Sequence, residues 1–481
     1  MPKPSNLGAP QVCDRSTFLQ FFFALDDEFG QPVSNSIVVE HMEGDVEMQD
    51  EHESKEEMVE RLTRQFRELL EKKLPEEPGT LEEIEHVTEE IGTEIKREIE
   101  GECLGWHGCG YIGSQFTCSC GAVSKFKKYN SKRIISLCGE RAVTRSYYHC
   151  SSCGASSIPL DALLGLDSGC TSVGVRTKVG RLAAMIPFEN VSIELRELCG
   201  IVLSGDTILR IAESMGVRIK NERHEREQKV LSGDVEAPDV APGRLYIGID
   251  GAHVPMHDGS YHEAKCGIVY QTVQEGDKTK ISNAKYTATL ERTAAFGEQV
   301  YALAFDQGVE NAIELACLGD GATWIWNSFS LHYPDAVHIL DFFHASEHLD
   351  DVAKAWYGED SDKAKCWLEA RKLDLLSDCV EDVIRSIRSW HPTDDVAKEI
   401  RRVELGYFEK NKDRMLYATF LANGYHIGSG LVESACKMIV TQRLKQSGMR
   451  WTEPGAESIA HLRSFLLSDR SADISRFARA A

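Results

Sequence analysis

The chain has 481 residues, of which 42% are hydrophobic and 27% charged, and its formal net charge is −22 at pH 7. That length exceeds one ordinary domain, and that composition belongs to a soluble protein with a sizeable core. The longest early apolar run, FLQFFFAL at residues 18–25, is too short to span a bilayer and follows no basic leader, so a cytoplasmic protein without membrane contact is expected.

The charge is unevenly spread. Residues 1–100 hold 10 Lys and Arg against 26 Asp and Glu, whereas residues 118–153 hold seven Lys and Arg against one Glu. A phosphate backbone meets patches rather than totals, so the acidic balance excludes no nucleic-acid partner. Most of the 15 cysteines, Cys266, Cys317 and Cys436 among them, sit in apolar segments and read as small core residues.

In chain order, residues 26–57 are acidic and read as a linker. An apolar stripe at Met58, Leu62, Phe66, Leu69, Leu70 and Leu74 predicts a helix that Pro75 ends. Thr80 and Glu83 form a capping-box pattern opening a second helix, with Leu81, Ile84, Val87, Ile91, Ile95 and Ile99 on one face. The pair forms a hairpin within region 1–100, whose apolar faces serve either the rest of this chain or a second copy.

Region 101–165 is rich in Cys, Gly and Lys. Cys118 and Cys120 in CSCG, and Cys150 and Cys153 in CSSCG, bracket the strand-like pieces KRIISLCG and AVTRSYYHC. Thiolates at two turns, each followed by Gly, resemble the knuckles of a zinc ribbon, where Zn²⁺ replaces a core that so short a segment cannot build. The first pair is C-x-C, with Thr117 where the first Cys of C-x-x-C would fall, so Cys109 and His107 are alternative ligands. Reduced thiols in a small β-module are the plainer reading. Lys125, Lys127, Lys128, Lys132, Arg133, Arg141 and Arg145 offer phosphate contacts, with Tyr147 and Tyr148 available to pack or stack.

Region 166–235 reads as helix, a break around Gly200–Gly205, then helix. Either a DNA-reading helix-turn-helix or any helical hairpin has that pattern. DVEAPDVAPGR at 234–244 marks a boundary. Strands are expected at 244–256, 263–272, 284–291, 312–319 and 336–341, with helices at 294–308 and 322–333. Region 244–344 is therefore a mixed sheet with helices on its faces, in a multidomain α/β chain. Region 345–425 is helical, and within 426–481 a last helical stretch begins at Gly430.

RLYIGIDGAHVPM and ELACLGDGATWIWNSF each deliver an Asp and a Gly at the end of an apolar run. Alternation of Leu245, Ile247 and Ile249 puts Asp250 on the opposite face. If the run ending at Asp320 pairs beside it, the two tips lie about 5 Å apart. Carboxylates that close need a cation between them, most often Mg²⁺, and the glycines admit a bulky ligand. Two-metal phosphodiester chemistry wants a third acid. Glu433, in the first turn of the helix of GSGLVESACKMIVTQRLKQSGMRW, is the best candidate, with Lys437, Arg443, Lys445 and Arg450 beyond it. It reads either as a metal ligand beside a phosphate-binding surface or as a helix-dipole partner pairing with Lys437. His253 and His257 read as surface residues.

Together, YIGIDGA, LGDGATWIW, ILDFFHASEHL and GSGLVESACKMIVTQRLKQSGMRW resemble the bacterial insertion-sequence transposases of the ISKra type, which are DDE transposases with a ribonuclease H-like catalytic core. The resemblance runs from about residue 100 to 468 and includes LDALLGLD after the cysteines. It implies Asp250, Asp320 and Glu433 as the catalytic triad on Mg²⁺ or Mn²⁺, Asp341 and His344 as a supporting D-x-x-H pattern, and 345–425 as an insertion. It further implies a homo-oligomer in the bacterial cytoplasm, at the nucleoid, whose amino-terminal half binds element ends. The same site would nick those ends and join the 3′-hydroxyl to target DNA. Lys127, Lys128, Arg133, Lys437, Arg443, Lys445 and Arg450 would meet the DNA. Two alternatives stay open: a ribonuclease H-like nuclease that only hydrolyses, and a domesticated DNA-binding regulator.

Overall fold

The computed structural model describes residues 54–77, 79–166, 169–275, 278–359, 361–428 and 430–479. FLQFFFAL and most of the 26–57 linker lie outside the described residues. The chain divides between Glu60 and Arg61, inside helix α1 (Lys55–Lys73). Of the first unit, 54–60 is described as the opening of that helix. Among the described residues no helix is long and apolar enough to cross a membrane.

Helix α2 (Leu81–Gly105) opens with the expected capping box: Thr80 Oγ1 accepts from the Glu83 N–H, and Glu83 Oε2 from the Thr80 N–H at 2.8 Å. Arg61 pairs with Glu102 at 2.7 Å, and Lys73 with Glu94 at 3.0 Å, so the two helices run as a hairpin. The far end of α2 is tied to the next module, where Arg97 Nε donates to Cys138 O and Ser136 Oγ to Glu100.

That module is an antiparallel sheet of β1 (Gln115–Thr117), β2 (Val123–Ser136), β3 (Gly139–Cys150) and β4 (Ser156–Ser157), in that order. Tyr148 is fully buried against Phe116 and Phe126 and bonds Gly113 O, so it packs rather than stacks on a ligand. Helix α3 (Pro159–Leu164) brings Asp161 beneath the ribbon, where Arg145 at 2.6 Å and Lys132 at 2.9 Å neutralise it. Two of the seven bases are thereby committed to the interior.

Helices α4 (Val173–Ala183), α5 (Phe188–Cys199) and α6 (Gly205–Leu231) follow. The break falls where expected. Gly200 ends α5 at φ 64°, and Ser204 caps α6 by accepting from the Thr207 N–H. The first turns of α6 expose Asp206, Arg210 and Ser214.

The larger sheet has the order β7-β6-β5-β8-β9, from β5 (Arg244–Pro255), β6 (Tyr261–Glu275), β7 (Lys278–Thr289), β8 (Glu314–Gly319) and β9 (Val337–Leu340). The first three in sequence are antiparallel; β8 and β9 run parallel to β5. Backbone pairing carries β6 and β7 into the polar stretch between the two expected strands, because a ladder needs no apolar side chain to continue. Leu245, Ile247 and Ile249 share a core with Phe296 and Val300 of α7 (Thr293–Asp306) and Ile325 and Phe329 of α8 (Thr323–His332).

The helical block comprises α9 (Phe342–Tyr357), α10 (Asp362–Leu375), α11 (Val380–Ser389), α12 (Asp395–Asn411) and α13 (Tyr417–Ala422). Then come α14 (Gly430–Cys436), a π-helical turn Lys437–Thr441, α15 (Gln442–Leu444), α16 (Glu453–Ser468) and α17 (Ser475–Ala478). Helix α16 is buried almost throughout, and an ideal Cβ on Gly216 of α6 would lie 2.1 Å from Ser458 O. Only glycine permits that approach.

Glu457 anchors α16. It accepts from Thr289 Oγ1 at 2.7 Å and the Leu290 N–H at 2.5 Å, with His461 Nε2 and Lys220 Nζ each at 3.1 Å. Burial alone would raise its carboxyl, but these partners, His461 foremost, hold it at about 2. Burial also pushes His461 down, so at neutral pH the facing cation is Lys220. A folded value below the ordinary 4.5 stabilises the fold above that pH and fades as the pH falls towards 2. Glu457→Gln is expected to cost about 3 kcal/mol in urea unfolding at pH 7. The gap from wild type should narrow as the pH is lowered through that window.

Candidate active site and cysteine cluster

Ladder partners Gly248, Leu318 and Ile339 lie abreast on three parallel strands. Two residues further along each chain segment come Asp250, still within β5, Asp320, just past β8, and Asp341, just past β9. Asp320 and Asp341 stand at the carboxyl ends of their strands, where open α/β sheets take their ligands, whereas Asp250, expected at a strand tip, lies within β5, which stays paired with β6 as far as Pro255.

The Asp250 carboxyl is raised, by burial first and also by the Asp320 charge, against the opposing pull of the Gly251 N–H, the Cys436 thiol and His344. A half-buried acid facing a second carboxylate has the donor chemistry a cation relieves. Asp320 Oδ1 accepts from the Ala322 N–H at 2.8 Å. Gly321, at φ 105°, lets the Tyr407 ring close in, and Tyr407 Oη donates to Asp320 O at 3.0 Å.

Glu433 comes from α14, which packs on β5. An ideal Cβ on Gly248 would meet Val432 at 2.2 Å, and Cys436 reaches Asp250. Glu433 follows Val432 and precedes Cys436 by one turn, so it stands exposed on the rim of that packed face. The π turn follows at once and shifts the i,i+4 register on which a Glu433–Lys437 pair depends. The three proposed triad carboxylates are not drawn together to metal-coordinating distance; among the described residues, only the four cysteines converge in that way.

Asp341 is buried, and its Oδ1 caps α9 by accepting the backbone N–H groups of Phe343 and His344. The His344 ring pairs instead with Glu347 at 3.2 Å. The D-x-x-H pattern is thus a helix cap with a half-exposed His, not a ring bonded to its Asp. His344, Glu347 and His348 also have the H-x-x-E-H spacing of zinc peptidases. Here, however, His348 Nδ1 lies 2.6 Å from Glu404 Oε2 and the ring stacks on Tyr407, centroids 3.7 Å apart. Tyr407 and Glu404 had no sequence signal, since they lie far along the chain from the acid that Tyr407 touches; His348 lies within ILDFFHASEHL, but its partners could not be read there.

Of the four bases after Glu433, Lys437, Lys445 and Arg450 are exposed. Arg443 is wholly buried: its Nε donates to Ala183 O at 2.8 Å, and its guanidinium lies over Phe188 and Trp451. Arg463 donates to Ala184 O beside it, so two guanidiniums meet the carbonyl end of α4. The expected phosphate contact by Arg443 is corrected to an internal tie. Charge is visible in a sequence; the carbonyls and rings that make its burial tolerable are not.

The four cysteine sulfurs lie within 4.8 Å of one another, with Cys118–Cys153 at 3.6 Å and Cys120–Cys150 at 3.7 Å. Zinc–sulfur bonds of about 2.3 Å in a tetrahedron require sulfurs about 3.8 Å apart. Gly121 and Gly154, both at positive φ, close the two knuckles, so C-x-C suffices where C-x-x-C was the stronger pattern. Cys109 accepts from the Ser146 hydroxyl and His107 is exposed, so neither replaces a sulfur. The N–H groups of Cys153 and Ser152 lower Cys150 to about 6. Cys153, although the Ala155 N–H favours its anion, is pushed up to about 12 by the other three sulfurs. Such a group ionises together only around a cation, and the cluster could bind a metal such as zinc.

Lys127 and Lys128 are exposed at a bulge in β2, and Arg133 is exposed beside Glu140 at 3.3 Å.

Fold and site define a multidomain α/β protein with a metal-competent cysteine cluster and acids on or just past three adjacent parallel strands. Residues 123–476 match the model of UPF0236, an uncharacterised protein family, and the chain belongs to that family. The match starts after Cys118 and Cys120. A relative described as "UPF0236 protein in vanSb 3'region", from Streptococcus gallolyticus, is 25% identical over 325 residues, covering 64% of this chain. The chain spans 66% of that relative's length, just under two thirds.

Proposed function

We propose that the chain is a DNA transposase that nicks insertion-sequence ends and joins the freed 3′-hydroxyl to target DNA, on a ribonuclease H-like core. The observation that carries this reading is that Asp250 and Asp320 each follow by two residues the paired Gly248 and Leu318 of adjacent parallel strands, near enough for the Asp320 charge to act on Asp250, with the Glu433 helix packed on the first strand. Three antiparallel strands followed by two parallel ones, interrupted by a helical block before α14, support the fold. Asp250, Asp320 and Glu433 would hold Mg²⁺ or Mn²⁺, which supplies Lewis acidity for phosphodiester attack and departure. The exposed bases Lys437, Lys445 and Arg450, with Lys127, Lys128 and Arg133 on the ribbon, would hold the backbone. Two ends must meet, so a homo-oligomer acting at the nucleoid in the cytoplasm fits the chemistry.

The test is incubation of the purified chain with labelled DNA carrying the element's flanking ends, with Mg²⁺ or Mn²⁺. Nicked and joined products support a transposase. Nicking that never leads to joining indicates a nuclease, and binding without cleavage indicates a regulator. In the same binding assay, combined Lys437→Ala, Lys445→Ala and Arg450→Ala is expected to flatten the salt dependence, log–log, by about 3. Arg443→Met should leave that slope unchanged and instead lower stability by about 3 kcal/mol.

A further inference from the structure

We propose that the helical block positions the second acid: Tyr407, braced by His348 and Glu404, fixes the Asp320 tip and so sets how tightly the site takes a divalent cation. This rests on the reading of Asp320 as a metal ligand. Two side chains on one face of α12, and a third from the 3-10 turn Lys412–Arg414 that follows it, grip the segment after β8. Tyr407 Oη donates to Asp320 O at 3.0 Å, Lys410 Nζ donates to Thr323 Oγ1 at 2.6 Å, and the Arg414 guanidinium lies over Trp326 at 4.5 Å. Residues 407 and 410 share a face of α12 by helical spacing, and Arg414 comes from the turn at its carboxyl end, so the end of one helix and its exit turn supply all three.

Tyr407 is itself held. Its ring stacks on His348 at 25° between planes, and His348 Nδ1 is anchored at 2.6 Å by Glu404, which is 6% exposed. On its other side lies Gly321, where an ideal Cβ would sit 2.6 Å from Tyr407 Cε2. Burial, and then the charges of Asp320 and Asp341, raise the phenol, so it stays a neutral donor. Asp320 Oδ1 is tied to the Ala322 N–H within the same tip, so wherever Tyr407 sets the backbone the carboxylate goes with it. Groups that orient a ligand in this way typically change metal affinity about 10–100-fold when lost.

Tyr407→Phe removes the hydroxyl and keeps the ring. Binding of Mn²⁺ alone, by isothermal titration, should weaken about tenfold. The Mn²⁺ concentration for half-maximal nicking should rise in parallel, by far more than the maximal rate falls. His348→Gln, which removes the stacking ring, should shift both in the same direction. A melting temperature that falls while Mn²⁺ binding and half-saturation stay at wild-type values would make Tyr407 merely structural and overturn the inference. Asp320→Asn separates the two layers. If it binds Mn²⁺ as tightly as wild type, the metal reading of the site fails and takes the inference with it. If only Asp320→Asn loses binding, the site stands and the positioning role falls.

Discussion

Asp250→Asn and Asp320→Asn are each expected to reduce metal-dependent nicking of element-end DNA by about a thousandfold or more, while binding of the same DNA persists. The magnitude follows from losing one carboxylate's share of several kcal/mol of transition-state stabilisation, at 1.36 kcal/mol per factor of ten. The substitutions keep volume and remove charge. Asp250 is held raised by burial and by Asp320, so making either residue neutral relieves repulsion and should not destabilise the fold. A rate loss with an unchanged or higher melting temperature is therefore the signature of a catalytic charge. Glu433→Gln should behave likewise, because its exposed position on α14 contributes little packing. Cleavage at wild-type rate by Asp250→Asn would end the transposase assignment.

Removal of the cysteine metal should have the second large effect. The chain purified at neutral pH is expected to carry about one Zn²⁺, measured by plasma mass spectrometry. Cys150→Ser should abolish it. The sheet of β1–β4 has a small apolar core of Ile134, Val143, Leu160 and Leu166, and zinc affinity in such modules is folding free energy of about 10–16 kcal/mol. Protease cutting should therefore appear within residues 115–157 after chelation or in Cys150→Ser, and the 244–479 region should resist. Full protease resistance without metal would show that Tyr148 and its aromatic neighbours hold the module by themselves.

Much of this molecule could be read from local pattern. Period-two alternation at Leu245, Ile247 and Ile249 marked a strand and put Asp250 on its other face. The Thr80–Glu83 box marked the start of α2, and the sequence places the break before α6 around Gly200–Gly205, where Gly200 and the Ser204 cap stand. The pairing of the Asp250 and Asp320 strands, conditional in the sequence, is present as a parallel ladder. The gathering of Cys118, Cys120, Cys150 and Cys153 followed from two turns each ending in Gly.

What the sequence determined by itself were elements, turns and the residue types available for chemistry, because backbone periodicity, caps and knuckles depend on neighbours within a few positions. The tertiary structure alone decided which charges face water. Arg443, one base among four in a run, is buried because the end of α4 and two aromatic rings happen to receive it. Lys132 and Arg145 turn inward because α3 presents Asp161. Tyr407 meets Asp320 only because α12 folds back onto β8, a closeness between distant residues that no local period encodes.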